Sequence, residues 1–270
     1  MSSSSSDTSS PGSRKDDEET VRRLAGTAAR DAVQAPSPAE KATAIRRMFS
    51  VVAPRYDLLN HLLSLNIDRS WRRRTVDRLL ERCNADGTVL DSCAGTLDLA
   101  RELAGRKTFH GRVVACDFTL AMLEHGRSKR PPLPVAIACA DALSLPFADG
   151  SLDGAMVGFG VRNLADPVAG LDEFARVLRP RAPLVILEFA TPLRQPLRAA
   201  YLFYFRRILP QLGRLISGHG SAYTYLPESV LGFPRPAAFA GRMRDAGFDD
   251  VTWETVSGGI AAIHGGVRRG

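Results

Sequence analysis

Between residues 88 and 189, short apolar segments alternate with segments of helical spacing. Thr88–Ser92, Gly111–Cys116, Val135–Ala140, Leu152–Phe159 and Leu184–Phe189 read as strands, and Leu97–Ala104, Thr119–Lys129 and Pro167–Leu178 as helices. Strands separated by helices need right-handed crossovers, so an α/β fold follows, with a mostly parallel sheet and helices on both faces. No helical segment separates Asp250–Thr255 from Gly259–His264, which predicts an antiparallel hairpin at the edge of that sheet. Upstream of the first strand, Ile45, Met48, Phe49 and Val52, and beyond Pro54 the positions Leu58, Leu62, Leu65, Trp71, Val76 and Leu79, recur at helical spacing.

Charge and composition divide the chain. Residues 1–40 are serine-rich and carry five Lys/Arg against seven Asp/Glu, and this low-complexity stretch reads as a disordered tail. Residues 41–270 carry 31 Lys/Arg against 22 Asp/Glu, a basic balance that suits an anionic partner or cofactor without choosing one. No run is long and apolar enough to span a bilayer and no signal-type segment is seen, so a cytoplasmic protein is expected. Cys83, Cys93, Cys116 and Cys139 form no C-x-x-C pair and the histidines do not cluster beside them, which indicates neither a metal site nor a disulfide framework.

In open parallel sheets ligands sit at the carboxyl ends of the strands. The first such tip reads Asp91-Ser92-Cys93-Ala94-Gly95-Thr96-Leu97-Asp98, whose small residues let a ligand lie against backbone amides at a helix start. Asp91 suits a cationic amino group or the loop's own amides. Asp117 ends the second strand, where ribose hydroxyls would donate to it, and Asp141 follows the third, where an adenine amino group would. The competing reading is that Asp91 and Asp117 only cap helices. A dinucleotide is disfavoured, because the only near match to its glycine fingerprint is Gly158-Phe159-Gly160 after the fourth strand. A cofactor without phosphates, carrying an amino acid and a nucleoside, fits better.

Asp91-Ser92-Cys93-Ala94-Gly95-Thr96, Asp117-Phe118-Thr119 with Met122-Leu123, Asp141-Ala142-Leu143-Ser144-Leu145-Pro146-Phe147 and Arg176-Val177-Leu178-Arg179-Pro180 resemble the motifs of class I S-adenosyl-methionine-dependent methyltransferases. More narrowly, Met48–Asn60, Phe159-Gly160-Val161-Arg162-Asn163-Leu164, Leu187-Glu188-Phe189 and Tyr223–Val230 resemble the ubiquinone/menaquinone-biosynthesis C-methyltransferase family, from about residue 44 to the end. The resemblance implies a Rossmann-like, seven-stranded sheet with an antiparallel edge strand, an N-terminal helical lid over 41–85 and a substrate or lid insertion over 192–236. It implies S-adenosyl-L-methionine as cofactor, held by Asp91, Ala94, Gly95, Thr96, Asp117, Phe118, Met122, Asp141, Ala142 and Phe159. Two departures stand out. Leu97 occupies the second glycine position of the family's G-T-G-D, and Arg181-Ala182 replace the two glycines of its P-G-G turn. Leu97 is expected in the first helical turn, packed on the sheet.

The reaction implied moves a methyl group from a sulfonium to a ring carbon of a polyprenyl quinol, of demethylmenaquinol or methoxy-benzoquinol type. Arg162 is expected to stabilise the phenolate that makes the carbon nucleophilic, Asn163 to orient a water or the cofactor, and Tyr56 to bond a substrate oxygen. His61 and His219 are alternative bases. The stretch Pro192–Leu215 carries Arg194, Arg198, Arg206, Arg207 and Arg214 and no acid, with Leu197, Tyr201, Tyr204, Phe205, Ile208 and Leu212 at helical spacing on the other side. It reads either as an interfacial helix that brings the protein transiently to the inner membrane face or as a lid on its own domain. The expected partner is a lipid quinol, a homodimer is compatible, and nucleic acid is not expected. Two other readings remain: a methyltransferase of a soluble small molecule, and a non-catalytic scaffold subunit of a quinone-biosynthesis complex.

Overall fold

The central apolar segments become strands because they are buried on both faces, with neighbouring residues serving opposite layers. The computed structural model describes residues 27–29, 31–32, 37–53, 64, 66–129, 134–208, 211 and 222–270. Its strands are β1 (Thr88–Ser92), β2 (Arg112–Asp117), β3 (Val135–Cys139), β4 (Gly154–Gly158), β5 (Pro183–Phe189), β6 (Phe248–Val256) and β7 (Ala261–Arg268). They form one seven-stranded sheet in the order β3-β2-β1-β4-β5-β7-β6. β1 to β5 pair in parallel, whereas β7 runs antiparallel to both β5 and β6, so the hairpin closes the sheet with β6 outermost.

The helices are α1 (Pro38–Val52), α2 (Asp68–Leu80), α3 (Asp98–Ala104), α4 (Leu120–Ser128), α5 (Pro167–Val177), α6 (Leu197–Phe203), α7 (Ala222–Gly232) and α8 (Pro236–Asp245). Leu90, Val157 and Leu184 point into a layer with Phe174 of α5 and Phe239 of α8. Val89, Met156 and Val185 point into the opposite layer with Trp71 and Leu79 of α2 and Leu103 of α3. Residues adjacent in sequence thus serve both cores, the period-two signature of a doubly covered sheet. The chain leaves β1 towards β2 and β3, then returns to place β4 on the other side of β1. This reversal opens a crevice at the carboxyl ends of β1 and β4.

Four details differ from the sequence reading. Ala28, Ala29 and Ala32 are buried against Ile45, Met48 and Tyr225, so the described part of the 1–40 stretch is packed rather than a loose tail. α1 correspondingly starts at Pro38, where the Ser37 hydroxyl accepts from the Glu40 amide and donates to its carboxylate. β4 begins at Gly154 because Leu152 bridges Leu178 instead. The helical stretch expected over Pro192–Leu215 is α6 followed by a π-turn, Tyr204–Ile208, and residues 209–210 and 212–221 lie outside the described residues.

Candidate active site

A cavity of about 60 Å³ lies at the carboxyl ends of β1, β2 and β4. Gly95, Asp117, Phe118, Met122, Asp141, Ala142, Phe159 and Asn163 stand on its wall, and Ala42 and Phe49 of α1 join them from the N-terminal side. Asp91, Ala94, Thr96 and Arg162 are not among the residues on that wall. Tyr56, His61 and His219 fall outside the described residues.

The loop after β1 is tightly wound: Cys93, Gly95 and Leu97 take left-handed backbone angles, with φ of 53°, 51° and 66°. The winding lets the Gly95 amide donate to the Asp117 carboxylate at 2.9 Å and the Ala94 amide to the Cys116 carbonyl at 2.9 Å. Leu97 is therefore not in the first turn of α3, as the sequence suggested, but one residue ahead of it in the conformation that suits glycine. Its side chain is nevertheless buried, in the same layer as Leu99 and Leu103. Room for it comes from Gly126 of α4, where an added Cβ would sit 2.6 Å from the Leu97 side chain. Gly160 does the same for Cys93, since its Cβ would fall 2.3 Å from that of the cysteine. The Gly158-Phe159-Gly160 segment thus serves close packing of two strand tips.

The three acids differ in what they still offer. Asp91 is 1% exposed; one oxygen accepts from the Ala100 amide of α3 at 2.8 Å, and the other has no hydrogen-bond partner among the described residues. Burial pushes its pKa up to about 8 against the pull of that amide and of nearby Arg72. Asp117 accepts from the Thr119 and Gly95 amides and also faces the cavity, and burial raises its pKa as well. Asp141 accepts from the Leu143 amide at 3.0 Å on the cavity wall. Both Asp91 and Asp117 therefore cap local backbone, as the competing reading held, and each retains acceptor capacity beyond the cap. Asp98, which opens α3, is clamped by Arg72 of α2 and by Lys129 after α4.

At the tip of β4, Phe159 (φ 59°) stacks on Phe189 with ring centres 4.5 Å apart. Arg162 turns away from the cavity. Its guanidinium donates to the Glu188 carboxylate at 2.9 Å and to the Phe159 carbonyl at 2.5 Å, and it lies 5.2 Å from the centre of the Phe189 ring. Asn163 points the other way, donating to the Phe159 carbonyl and accepting from the Tyr225 hydroxyl at 3.0 Å. Sequence reading did not give Glu188 a role. A signal existed, because a lone acid in the strand Pro183–Phe189, buried almost throughout, has to be paired.

Residues 38–268 match the ubiE/COQ5 methyltransferase family. The chain belongs to that family. A ubiquinone/menaquinone biosynthesis C-methyltransferase of Citrifermentans bemidjiense is 44% identical over 85% of this chain and 98% of that one. A demethylmenaquinone methyltransferase of Thermus thermophilus is 48% identical over 82% of this chain and all of its own length, 100%. A solved S-adenosyl-methionine-dependent methyltransferase from Thermotoga maritima superimposes with a TM-score of 0.58 at 16% identity, covering 82% of this chain and 98% of its own, which shows the shared fold. As a ubiE/COQ5 methyltransferase the protein uses S-adenosyl-L-methionine, which when bound supplies an activated methyl group on a sulfonium. The site fits that molecule on its own chemistry: a buried carboxyl oxygen without a partner among the described residues would match an ammonium group, and Asp117 and Asp141 on the wall would match sugar and base donors.

Proposed function

We propose that this protein methylates a ring carbon of a polyprenyl quinol, of demethylmenaquinol or methoxy-benzoquinol type, as the names of its relatives suggest. The observation that carries this reading is the set of exposed apolar side chains on the 192–236 insertion, which packs on Phe189 through Tyr201, Phe205 and Val230. Leu193 and Phe203 are 66% and 61% exposed, and Leu197, Ile208 and Leu231 add to the same insertion. Arg194, Arg198 and Arg207 flank it. Exposed apolar side chains interleaved with arginines suit an anionic membrane surface and a substrate whose tail stays in lipid, whereas a soluble substrate would need neither. Among the described residues no helix is long and apolar enough to cross a membrane, so contact would be made from one side.

In this reading Asp91, Asp117, Asp141, Phe118 and Met122 hold the cofactor, and α1 is a lid. Ala42 and Phe49 of α1 stand on the cavity wall, so α1 would cover a cofactor bound there. The substrate carbon becomes nucleophilic as a ring hydroxyl loses its proton. Asn163, fixed by Tyr225 on the cavity wall, orients the groups that meet there. Arg162 has its charge partly balanced by Glu188, so it steadies the phenolate less than an unpaired arginine would. The test is direct: the purified protein, S-adenosyl-L-methionine and a chemically reduced polyprenyl quinone in anionic vesicles should yield S-adenosylhomocysteine and a quinone one methyl heavier by mass spectrometry. Methylation of water-soluble phenols in preference to the vesicle-borne quinol would replace this reading with the soluble one.

A further inference from the structure

Tyr201 sits on α6 with its ring 4.4 Å from that of Phe205. Tyr201, Phe205 and Val230 form a small buried cluster against Phe189, the ring that stacks on Phe159 of the cavity wall. Tyr201 is 5% exposed, and its hydroxyl has no hydrogen-bond partner among the described residues. Such a group is uncommon, because a hydroxyl that loses water without replacement costs more than an ordinary hydrogen bond returns. The neighbouring acceptors are already engaged. Glu188 accepts from Arg162 and from the Phe189 amide, and Asn163 Oδ1 takes the Tyr225 hydroxyl. Arg162 is close enough for its charge to act on the Tyr201 phenol. Directly after α6 the helix widens into the π-turn Tyr204–Ile208, a distortion that recurs where helices carry functional groups.

We propose that the Tyr201 hydroxyl donates a hydrogen bond to a ring oxygen of the aromatic substrate, which supplies the acceptor that the described residues do not. The inference rests on the quinol reading above and adds the residue that fixes the orientation of the ring.

Tyr201→Phe tests this in the full chain, because it keeps the ring and removes only the hydroxyl. The ligand-free variant should melt about 2 °C higher than wild type, since an unsatisfied buried group has gone. Its KM for the reduced quinone in vesicles should rise about fivefold to tenfold, with S-adenosylhomocysteine affinity by calorimetry unchanged. An unchanged KM with a lower melting temperature would overturn the inference and make the hydroxyl structural. Should wild type methylate no quinol, the proposed function fails; should wild type methylate it and Tyr201→Phe show the same KM, this inference alone fails.

Discussion

Leu97 in the cofactor loop and Arg181 in the turn before β5 share one backbone conformation, with φ of 66° and 67°. Both replace glycines of the family pattern, and in both the left-handed angle costs about 1–2 kcal/mol for a residue with a Cβ. Their surroundings separate them. Leu97 is buried at 4% exposure in the layer beneath the site, whereas the Arg181 side chain is 59% exposed and reaches Asp250 across the surface. One strain is compensated by burial and the other by very little. The cofactor end of the sheet thus keeps its costs because packing and function hold them in place, and the turn at the far end keeps its cost only because that cost is small.

If packing holds Leu97, filling the space opposite should have the largest effect. A Cβ on Gly126 would lie 2.6 Å from the Leu97 side chain and 2.6 Å from the Thr96 carbonyl, and that backbone cannot yield without moving the loop. Gly126→Ala should therefore lower stability by about 3 kcal/mol in urea unfolding and weaken S-adenosylhomocysteine binding at least tenfold by calorimetry. Unchanged binding would mean that the loop is softer than its close packing suggests.

The cofactor end is also where burial leaves charge unsettled, which pH can expose. The folded pKa of Asp91 is raised from 3.8 to about 8, so its contribution to stability declines as pH rises from 3.8 to 8. His264 in β7, buried against Phe239 with its Nε2 3.1 Å from the Pro236 carbonyl, goes the other way. Burial lowers its pKa from 6.5 to about 4, so its contribution is lost as pH falls from 6.5 to 4. Between pH 4 and 6.5 the two slopes oppose each other, at about 1.4 kcal/mol per pH unit each. Asp91→Asn should remove one of them, so that its stability falls by roughly 3 kcal/mol more than that of wild type on going from pH 6.5 to 4. From pH 6.5 to 8 the variant should lose less stability than wild type, because the Asp91 slope is absent from it. Parallel urea midpoints for both proteins across pH 4–8 would show that Asp91 is ionised throughout in the fold.

What the sequence disclosed follows the same division. The strand–helix alternation and the tips carrying Asp91, Asp117 and Asp141 were legible because each is a local pattern at the end of an apolar run, whereas the wall residues Phe118 and Met122 came only with the family resemblance. The left-handed Leu97 was not, because its tolerance depends on Gly126 in another element, and no periodicity reports such a fit. The pairing of Arg162 with Glu188 was hidden for the same reason, since β4 and β5 come together only in the sheet. The packed segment before α1 could have been suspected, because Ser37-Pro38-Ala39-Glu40 is a helix-start signature inside a stretch dominated by tail-like composition.

The matched pair Leu97→Gly and Arg181→Gly states the opening contrast as two numbers of opposite sign. At position 97 glycine relieves the backbone but removes a buried leucine, and large-to-small changes of that kind cost about 3–5 kcal/mol, so a net loss of about 1–3 kcal/mol is expected. Cofactor affinity should not tighten, because the loop geometry that presents Gly95 already exists with leucine in place. At position 181 the side-chain interaction forgone among the described residues is a surface ion pair at 3.3 Å, worth well under 1 kcal/mol, and the turn keeps its backbone bonds from Arg181 N to Arg268 O and from Ala182 N to Arg179 O. Glycine loses more freedom on folding than arginine does, which takes back part of the relief. Arg181→Gly should therefore be the mildest change, a gain of up to about 1 kcal/mol in urea unfolding with no effect on cofactor binding. A loss at position 181 as large as that at position 97 would show that the left-handed turn is held by the arginine itself, and the contrast between the two ends of the sheet would collapse.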